Sequence, residues 1–414
     1  MLANSNEAPS EIFNKWYSLP VENVRPNSRT IGLDTRLKMK KTIWIILFCL
    51  SGWLRSGAQS MEVTGSKVPL PEGNVLGAAF YEDKGVFFVQ QNLLSTENGG
   101  LVIRSHRQLS SWSLKDHSII TRRVFAEAPQ GASAYPCGRV EASAKSHQIL
   151  ICSAEAYLEI IDPDNLSTVG TMANQNDQYI NDFAIDDLRD RVLVLASRRD
   201  GSVRLTAYSI QDGKQQQEAV LPSKNATRMS LAFAAKTGHI GVAIDGGSRS
   251  GSKADIFICG IDKTFSCTNV TQISGVSQIS FLGGQVLVAT STFADNRKDC
   301  ILTVDPTIRS VSHEYCSPAT GVHYAVGVVN NKYVVAFTGI SKRKWFSEEN
   351  KSVASSFSVW RAENPQVAAV AKDAMDYGAF QNEMRVVASS TEPLFIAYQR
   401  VSNVLCLHSI VDPN

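Results

Sequence analysis

Several residues in this sequence could support catalysis or metal binding, but their spacing fits no complete catalytic motif. The loop DGGSRSGSK, residues 245–253, places Arg249 where the G-x-S-x-G motif of hydrolases needs its serine. The same loop ends in Ser252-Lys253, which reverses the Lys-Ser order of a phosphate-binding loop. We therefore interpret it as a surface loop, and no catalytic residue is predicted.

Histidines and carboxylates also fail to form an obvious metal site. His313 and His323 are candidate acid–base groups, but no carboxylate partner that would orient either of them can be identified. The sequence contains no C-x-x-C, and its seven histidines are scattered, so no zinc site is predicted. Asp182, Asp186 and Asp187 offer oxygen ligands that would suit calcium. A polar turn explains these aspartates equally well, so we predict no cofactor and leave calcium open.

The elements that must position such residues are short β-rich runs that recur along the chain. Each unit has a run of small and apolar residues, a tight polar turn and a strongly β-forming run. The second runs start near Val86, Ile149, Val192, Ile240, Val286, Tyr333 and Leu394, at spacings of 63, 43, 48, 46, 47 and 61 residues. A period in the mid-forties is typical of β-propellers, in which each blade has four strands.

The two ends of the repeat region complement each other. Hairpins such as LEIIDPDNLSTVGTM, residues 158–172, supply the outer strands of most units. The last unit stops after VLCLHSI, residues 404–410, and lacks an outer strand, whereas the run at 61–71 precedes the first unit without a partner. We predict an all-β fold, a seven-bladed β-propeller whose ring is closed by pairing residues 61–68 with residues 404–410.

These hairpins resemble the YVTN-type and lactonase-like propellers, which share the topology of WD-repeat proteins. The resemblance covers roughly residues 61–411. It implies the propeller fold and leaves the activity open, because that superfamily includes enzymes, electron-transfer subunits and scaffolds. The Trp-Asp dipeptide of true WD repeats does not occur in the sequence.

Six cysteines fall into pairs on these predicted hairpins. Each pair flanks a turn almost symmetrically, so the sulfurs would meet across neighbouring strands. The predicted disulfides join Cys137 with Cys152, Cys259 with Cys267, and Cys300 with Cys316. Other connectivities remain possible, including Cys267 with Cys316, and Cys406 has no predicted partner.

An export signal precedes the propeller in the sequence. Met39-Lys40-Lys41 begins a basic stretch, residues 42–54 are mostly apolar, and Ser56-Gly57-Ala58 offers small residues for cleavage. We predict an upstream segment at 1–38 with Met39 as the true start, a signal peptide at 39–58 and a propeller domain at 59–414. The protein would then be periplasmic or secreted. If the signal is not cleaved, residues 42–54 would act as a membrane anchor.

The charge of the chain argues against nucleic-acid binding. The full sequence has a formal net charge of +2, and without residues 1–58 it retains 33 basic and 35 acidic residues. A near-neutral domain lacks the strong positive field that phosphate backbones require. We expect no nucleic-acid partner, and we expect a monomer.

One face of the propeller is the predicted binding surface. In this topology the loops between the second and third strands share a face with the segments that lead into the innermost strands. On the axis of that face we expect Tyr135, Asn181, Arg228, Gln278, His323 and Asn382. The loops add cations, among them Arg107, Arg198, Arg400, Lys342, Arg343 and Lys344. Polar loops rich in Lys and Arg would also arise without any ligand.

Two functions follow from this sequence. The first is an exported, non-catalytic propeller that binds a protein or an anionic glycan on the loop-rich face. The second is a lactonase-like or other hydrolytic propeller with an axial active site. The second requires His, Glu or Asp side chains that converge on the axis, with or without calcium.

Overall fold

The computed structural model describes most of the chain from residue 61 onward. The described residues are 61–97, 102–127, 137–153, 157–173, 178–224, 226, 228–245, 253–261, 264–274, 276, 278–289, 300–308, 310–316, 322–339, 355–372, 383–400 and 402–413. Apart from one short 3-10 turn at Glu82–Lys84, their regular structure consists of strands. The predicted signal segment lies outside the described residues. No helix in the described part of the chain has the length and apolar character needed to cross a membrane.

The strands form seven four-stranded antiparallel sheets, which are the blades of a propeller. Blade 1 comprises β2 (Asn74–Tyr81), β3 (Val86–Glu97), β4 (Val102–Ser113) and β5 (Ile119–Glu127). Blade 2 comprises β6 (Val140–Ser143), β7 (Gln148–Cys152), β8 (Leu158–Ile161) and β9 (Thr168–Met172). Blade 3 comprises β10 (Gln178–Asp186), β11 (Arg191–Arg198), β12 (Ser202–Ser209) and β13 (Gln215–Lys224).

The remaining four blades follow the same order. Blade 4 comprises β14 (Arg228–Ala234), β15 (His239–Asp245), β16 (Lys253–Ile261) and β17 (Phe265–Ser274). Blade 5 comprises β18 (Gln278–Leu282), β19 (Gln285–Ala289), β20 (Cys300–Val304) and β21 (Val311–Cys316). Blade 6 comprises β22 (Val322–Val329), β23 (Tyr333–Gly339), β24 (Ser355–Arg361) and β25 (Asn364–Lys372). Blade 7 comprises β26 (Met384–Ala388), β27 (Leu394–Gln399), β28 (Leu405–Val411) and β1 (Glu62–Lys67).

The ring closes as the sequence predicts. Strand β1 pairs antiparallel with β28, in a register that runs from Glu62 opposite Val411 to Lys67 opposite Cys406. The first strands of consecutive blades contact one another around the axis, and β2 also contacts β26. The seven predicted β-forming runs are the second strands of the seven blades, and their starts agree within one residue.

The hydrophobic core is divided among the junctions between blades. In the described residues it forms seven clusters, each of which joins two neighbouring blades. At the closing junction, Phe87 and Trp112 of blade 1 pack with Ile396, Tyr398 and Leu405 of blade 7. Second strands such as β11 are apolar almost throughout because neighbouring blades cover both of their faces. Outer strands such as β9 are mostly exposed.

The three predicted disulfides are present in the structure. Cys259 on β16 lies directly opposite Cys267 on β17, and Cys300 on β20 lies directly opposite Cys316 on β21. Cys152 ends β7, whereas Cys137 precedes β6 rather than lying on it. Cys406 is buried and is not disulfide-bonded to a described cysteine.

Candidate functional site

The two faces of the ring are built from different connections. The loops between second and third strands share one face with the segments that lead into the innermost strands, and we call this the loop face. The turns after the first and third strands of each blade lie on the opposite face, which we call the turn face. The assignment follows from the alternating strand direction within each antiparallel blade.

An ion pair spans the axis on the loop face. The guanidinium of Arg228, at the start of β14, lies 3.6 Å from Oε1 of Glu383, which immediately precedes β26. Blades 4 and 7 are three blades apart, the largest separation that a ring of seven allows. A contact between them must therefore cross the central axis, and it marks the mouth of the propeller.

A second arginine reaches the same carboxylate from blade 7. Arg400, in the loop between β27 and β28, lies 4.0 Å from Oε2 of Glu383. Its backbone N–H donates to the carbonyl of Glu383 at 3.1 Å, which fixes the two residues relative to each other. The Arg400 side chain lies against Gly138, where a Cβ would come within 2.2 Å of its Nε. Only glycine leaves room for this approach.

Arg385, on β26, lies within electrostatic range of Arg400. Burial, followed by the positive charge of Arg400, lowers the pKa of Arg385. The Arg385 side chain donates to the carbonyl of Met384 at 2.7 Å. Burial also raises the pKa of Tyr398, whose hydroxyl donates to the carbonyl of Gly138 at 3.4 Å. The mouth thus contains positive charge in a poorly solvated setting.

A tighter charge cluster joins blades 2, 3 and 4. Arg139 pairs with Glu141 at 2.5 Å and with Asp182 at 3.2 Å. It also donates to the carbonyl of Leu231 at 2.8 Å, while the Leu231 N–H donates to Asp182 at 2.7 Å. Burial lowers the pKa of Arg139, but the charges of Glu141 and Asp182 outweigh that effect and raise it. These oxygens already accept several hydrogen bonds, which makes this cluster a structural connection.

Gln278 makes a further connection across the ring. Its side-chain amide donates to the carbonyl of Val386 at 2.8 Å, and its carbonyl accepts from the Val386 N–H at 3.2 Å. These two bonds join the first strand of blade 5 to the first strand of blade 7. Gln278 therefore fixes the inner ring close to Glu383 and Arg385.

The structure brings some of the predicted axial residues together and leaves others aside. Arg228 and Gln278 both contact the blade 7 segment that carries Glu383, as described above. Asn181 lies at a bulge in β10, where it accepts a hydrogen bond from Ser197 Oγ at 3.1 Å. His323 lies on β22, and its side chain is outside the described part of the structure. Outside the described residues lie Tyr135, Asn382, Lys342, Arg343 and Lys344.

Two of the predicted loop cations are held within or between blades. Arg107 lies on β4, is buried, and donates to the carbonyl of Cys152 at 2.6 Å. Arg198 ends β11 and lies 3.7 Å from Glu218 of the same blade. Blade 1 has longer strands than we expected, and this places Arg107 in the sheet. Arg400 thus reaches the mouth, whereas Arg107 and Arg198 contact Cys152 and Glu218 instead.

The sequence reasoning missed Arg139, Glu383 and Arg385. All three lie on or next to the start of an innermost strand, which is the position from which we chose our candidates. Tyr135 precedes Arg139 by four positions and Asn382 precedes Glu383 by one, and both candidates stay predictions. A charged residue directly adjoining the first β-forming run of a blade would have been the better signal.

The three aspartates considered for calcium face different partners. Asp182 bonds Arg139, Asp186 is bonded by Arg191 at 2.9 Å, and Asp187 accepts from Ser143 at 2.5 Å. Each carboxylate thus stabilises a separate contact. Calcium binding at these residues stays a prediction.

One group on the turn face has the composition of a metal site. Ligand atoms of His147, Asp162 and Asp164 lie within 4.8 Å of one another. His147 also contacts the hydroxyl of Tyr81 at 2.9 Å and Oδ2 of Asp164 at 3.0 Å, and Lys84 pairs with Asp164. Because the Lys84 ammonium already neutralises Asp164, we interpret this group as a connection between blades 1 and 2. Tyr81 is buried and burial raises its pKa, which makes it a poor nucleophile.

The turn face also contains a cleft of about 350 Å³ at the closing junction. Phe80, Leu114 and Leu394 provide its apolar walls, and Glu82 and Lys115 also line it. The Glu82 carboxylate accepts hydrogen bonds of 2.6 and 2.7 Å from Ser390. The Glu82 carboxylate on the polar wall of the cleft is therefore already hydrogen-bonded within the protein.

Comparison with known proteins supports the fold. No protein-family model matches the sequence, and no curated protein matches it. Solved structures do match: Raptor from Chaetomium thermophilum has a TM-score of 0.55 and 11% identity over 83% of this chain, which spans 29% of the Raptor chain. The WD40 repeats of RRP9 have a TM-score of 0.54 and 10% identity, with 84% of this chain and 100% of that chain covered. U3-55K has a TM-score of 0.53 and 10% identity, with 83% and 98% covered.

These similarities show the fold alone, because the identities are so low. The protein is a seven-bladed β-propeller with WD40-repeat structural neighbours. The finer expectation of YVTN or lactonase-like membership finds no match among these neighbours and remains an expectation.

Proposed function

We propose that this protein is an exported propeller that binds a protein partner through its loop face, with the axial mouth as the centre of the interface. The observation that carries the proposal is the ion pair between Arg228 and Glu383. It crosses the axis, and its two charged groups are 3.6 Å apart, which is longer than a direct hydrogen bond. Charged side chains that are only loosely paired at the centre of a face can exchange partners on binding. Structural neighbours built from WD40 repeats are consistent with an interaction scaffold.

Export is supported by two independent features. Three disulfides are present in the described residues, and such bonds persist in oxidising compartments outside the cytosol. The apolar run at 42–54 with its basic start is typical of a secretory signal. We infer a periplasmic or secreted protein that acts as a monomer.

A hydrolytic function has less support. Its axial carboxylates would have to act as a base or nucleophile, but Asp182 already accepts from Arg139, Leu231 and Phe183. Glu383 is paired with two arginines. The oxygens of Asp182 are thus occupied by protein donors, and Glu383 faces two cations, so neither carboxylate is arranged as a general base in the described mouth.

Site-specific photo-crosslinking in the native host tests this proposal. A photoreactive residue is placed at Asp200 or Asn403, which are exposed in loops of the loop face, and matched controls are placed at Asp116 or Asp212 in exposed turns of the turn face. We expect one defined protein adduct from the loop-face positions and none from the controls. Adducts from the turn-face positions alone, or equal adducts from both faces, would contradict the proposal.

A further inference from the structure

We propose that Asn165, in the turn between β8 and β9, is an acceptor site for an N-linked glycan. Its substrate is an oligosaccharide carried on a lipid diphosphate, which an oligosaccharyltransferase transfers in a secretory compartment. The inference rests on the exported location in the proposed function. It concerns another surface, because Asn165 follows the third strand of blade 2 and so lies on the turn face.

The motif that this transfer requires is Asn-x-Ser or Asn-x-Thr, in which x is not proline. Four such motifs occur in the sequence, and they begin at Asn165, Asn225, Asn269 and Asn350. Asn225 and Asn350 lie outside the described residues. The surroundings of Asn165 and Asn269 can be compared, because both side chains are exposed.

At Asn165 the reacting groups are presented to solvent. Its side-chain carbonyl accepts a hydrogen bond from the Ser167 N–H at 2.7 Å, which holds the amide next to the serine of the motif. In the part of the chain that the structure describes, neither Nδ2 of Asn165 nor the hydroxyl of Ser167 has a hydrogen-bond partner. The nitrogen that reacts and the hydroxyl that the transferase recognises are therefore both accessible.

The turn itself keeps these two side chains outside. Leu166, the middle residue of the motif, is fully buried and packs in the core between blades 1 and 2. Its N–H donates to the carbonyl of Asp162 at 2.9 Å, and the Asp162 N–H donates to the carbonyl of Ser167 at 2.9 Å. Because Leu166 is anchored in the core, its two neighbours project into solvent. A glycan on Asn165 would then extend away from the protein.

Asn269 has the same motif in a less accessible setting. It lies within β17, and its Nδ2 donates to Oδ1 of Asp255 on β16 at 2.9 Å. The disulfide between Cys259 and Cys267 joins the same two strands two positions away. An amide that already donates within a disulfide-linked strand pair is less available to the transferase. We therefore expect lower glycan occupancy at Asn269 than at Asn165.

The reaction at Asn165 needs no group from this protein beyond the motif. Nδ2 attacks C1 of the first sugar, so that an N–C bond forms and the bond from C1 to the diphosphate oxygen breaks. The lipid diphosphate leaves with the electron pair of that bond, and Nδ2 loses one of its two hydrogens as a proton to the transferase. The remaining N–H and the side-chain carbonyl stay in place, so the bond from Ser167 can persist.

Secretion of the full chain from cultured eukaryotic cells tests this inference. The secreted protein is treated with peptide-N-glycosidase in heavy-oxygen water, which converts each glycosylated asparagine into labelled aspartate that peptide mapping locates. We expect most molecules to be labelled at Asn165. Ser167→Ala should abolish that label, because it removes the hydroxyl and keeps the backbone N–H, whereas the matched variant Ser167→Thr should retain it. Both variants should unfold at nearly the native temperature, since the Ser167 side chain is exposed.

The inference is overturned if secreted wild-type protein is unlabelled at Asn165, if Ser167→Ala keeps the label, or if occupancy at Asn269 exceeds that at Asn165. A chain that does not reach the medium would contradict the exported location in the proposed function. The same chain is then placed behind an established secretory signal, so that Asn165 is still tested. Secretion without a glycan at Asn165 would reject this site and leave the loop-face proposal unaffected.

Discussion

The charged contacts on the turn face differ from the Arg228–Glu383 pair at the mouth of the loop face. On the turn face, charges from neighbouring blades make short contacts: Lys145 donates to Asp190 at 2.7 Å, and Arg361 donates to Asp412 at 2.5 and 2.7 Å. At the loop-face mouth, Arg228 and Glu383 come from blades on opposite sides of the axis and remain 3.6 Å apart. The difference indicates that the turn-face pairs stabilise the ring, whereas the Arg228–Glu383 pair contributes little to it, unlike the Arg139 cluster of the same mouth.

On the turn face at the closing junction, the Glu82 carboxylate of blade 1 accepts several hydrogen bonds from blade 7. It accepts from the hydroxyls of Ser389 and Ser390 and from the Ser390 N–H, at 2.6 to 2.7 Å. Together with the pairing of β1 and β28, this contact joins the first blade to the last. The seam of the ring is thus reinforced where a propeller is most easily opened.

The largest expected effect comes from breaking the closure itself. Deletion of residues 61–68 removes β1, exposes the edge of β28 and leaves blade 7 with three strands. We expect the whole propeller to lose cooperative folding, as measured by circular dichroism and calorimetry. A truncated protein that unfolds at nearly the native temperature would contradict a closure by β1.

The second-largest expected effect is a loss of stability at low pH, caused by a histidine where β1 pairs with β28. His408 on β28 is buried between Phe357 and Phe395, and a Cβ at Gly65 of β1 would come within 2.3 Å of its ring. Burial lowers the pKa of His408 to about 4, below the value of 6.5 for an exposed histidine. The unfolded chain therefore binds more protons between pH 6.5 and 4. The contribution of neutral His408 to the free energy of unfolding is fully present above pH 6.5. It is lost as the pH falls towards 4, and the total loss is about 3 kcal/mol.

Urea unfolding at several pH values measures this loss. The variant His408→Phe keeps an aromatic ring and removes the proton site, so the difference between wild type and variant isolates His408 from the carboxylates that titrate in the same range. We expect the wild type to lose more stability than the variant between pH 7 and 4.5. Parallel losses in the two proteins would show that His408 is accessible to protons in the folded state.

A smaller effect is expected from the turn-face contact of Glu82. Glu82→Ala should destabilise the protein by about 2 kcal/mol, because several hydrogen bonds to a charged acceptor are lost. The matched control is Asp83→Ala, which removes an exposed neighbouring carboxylate. Burial raises the pKa of Glu82, but the hydrogen bonds from Ser389, Ser390 and Thr391 outweigh it, and the pKa is lowered overall. The contribution is therefore present above pH 4.5 and falls as the pH drops through the folded-state pKa.

The smallest effect on stability is expected at the loop-face mouth. Arg228→Gln should change the free energy of unfolding by less than about 0.5 kcal/mol, since exposed ion pairs contribute little. Denaturant unfolding of this variant beside Glu82→Ala compares the two faces directly. If Arg228→Gln proved as destabilising as Glu82→Ala, the mouth would have to be counted as a structural element.

The fold could be predicted from sequence because its signals are local. Runs such as RVLVLASR in β11 are apolar on both faces, and the unpaired run at 61–71 pointed to the closure. The disulfides followed from the symmetry of Cys259 and Cys267, and of Cys300 and Cys316, about their turns. Each of these inferences depends on residues within about twenty positions, or on a simple count of strands.

The candidate site depends on contacts between distant blades, and this limited its prediction. Three whole blades, 4 to 6, lie between Arg228 and Glu383 in the sequence, and no local pattern shows that their side chains meet. Arg107 was expected in a loop, but β4 begins at Val102, and the longer strand places Arg107 against blade 2. Strand length and register decide which side chains reach the axis, and the repeat pattern predicts both only approximately.

Hydrogen–deuterium exchange with and without the partner protein captured by the loop-face crosslinks tests the division between the two faces most directly. We predict slower exchange in the mouth segments 228–231, 383–386 and 402–405, and no change in the turn-face segments 82–85 and 389–394. Protection of the turn-face segments without protection of the mouth would contradict the account, because it would place the binding surface on the face that we assign to stability.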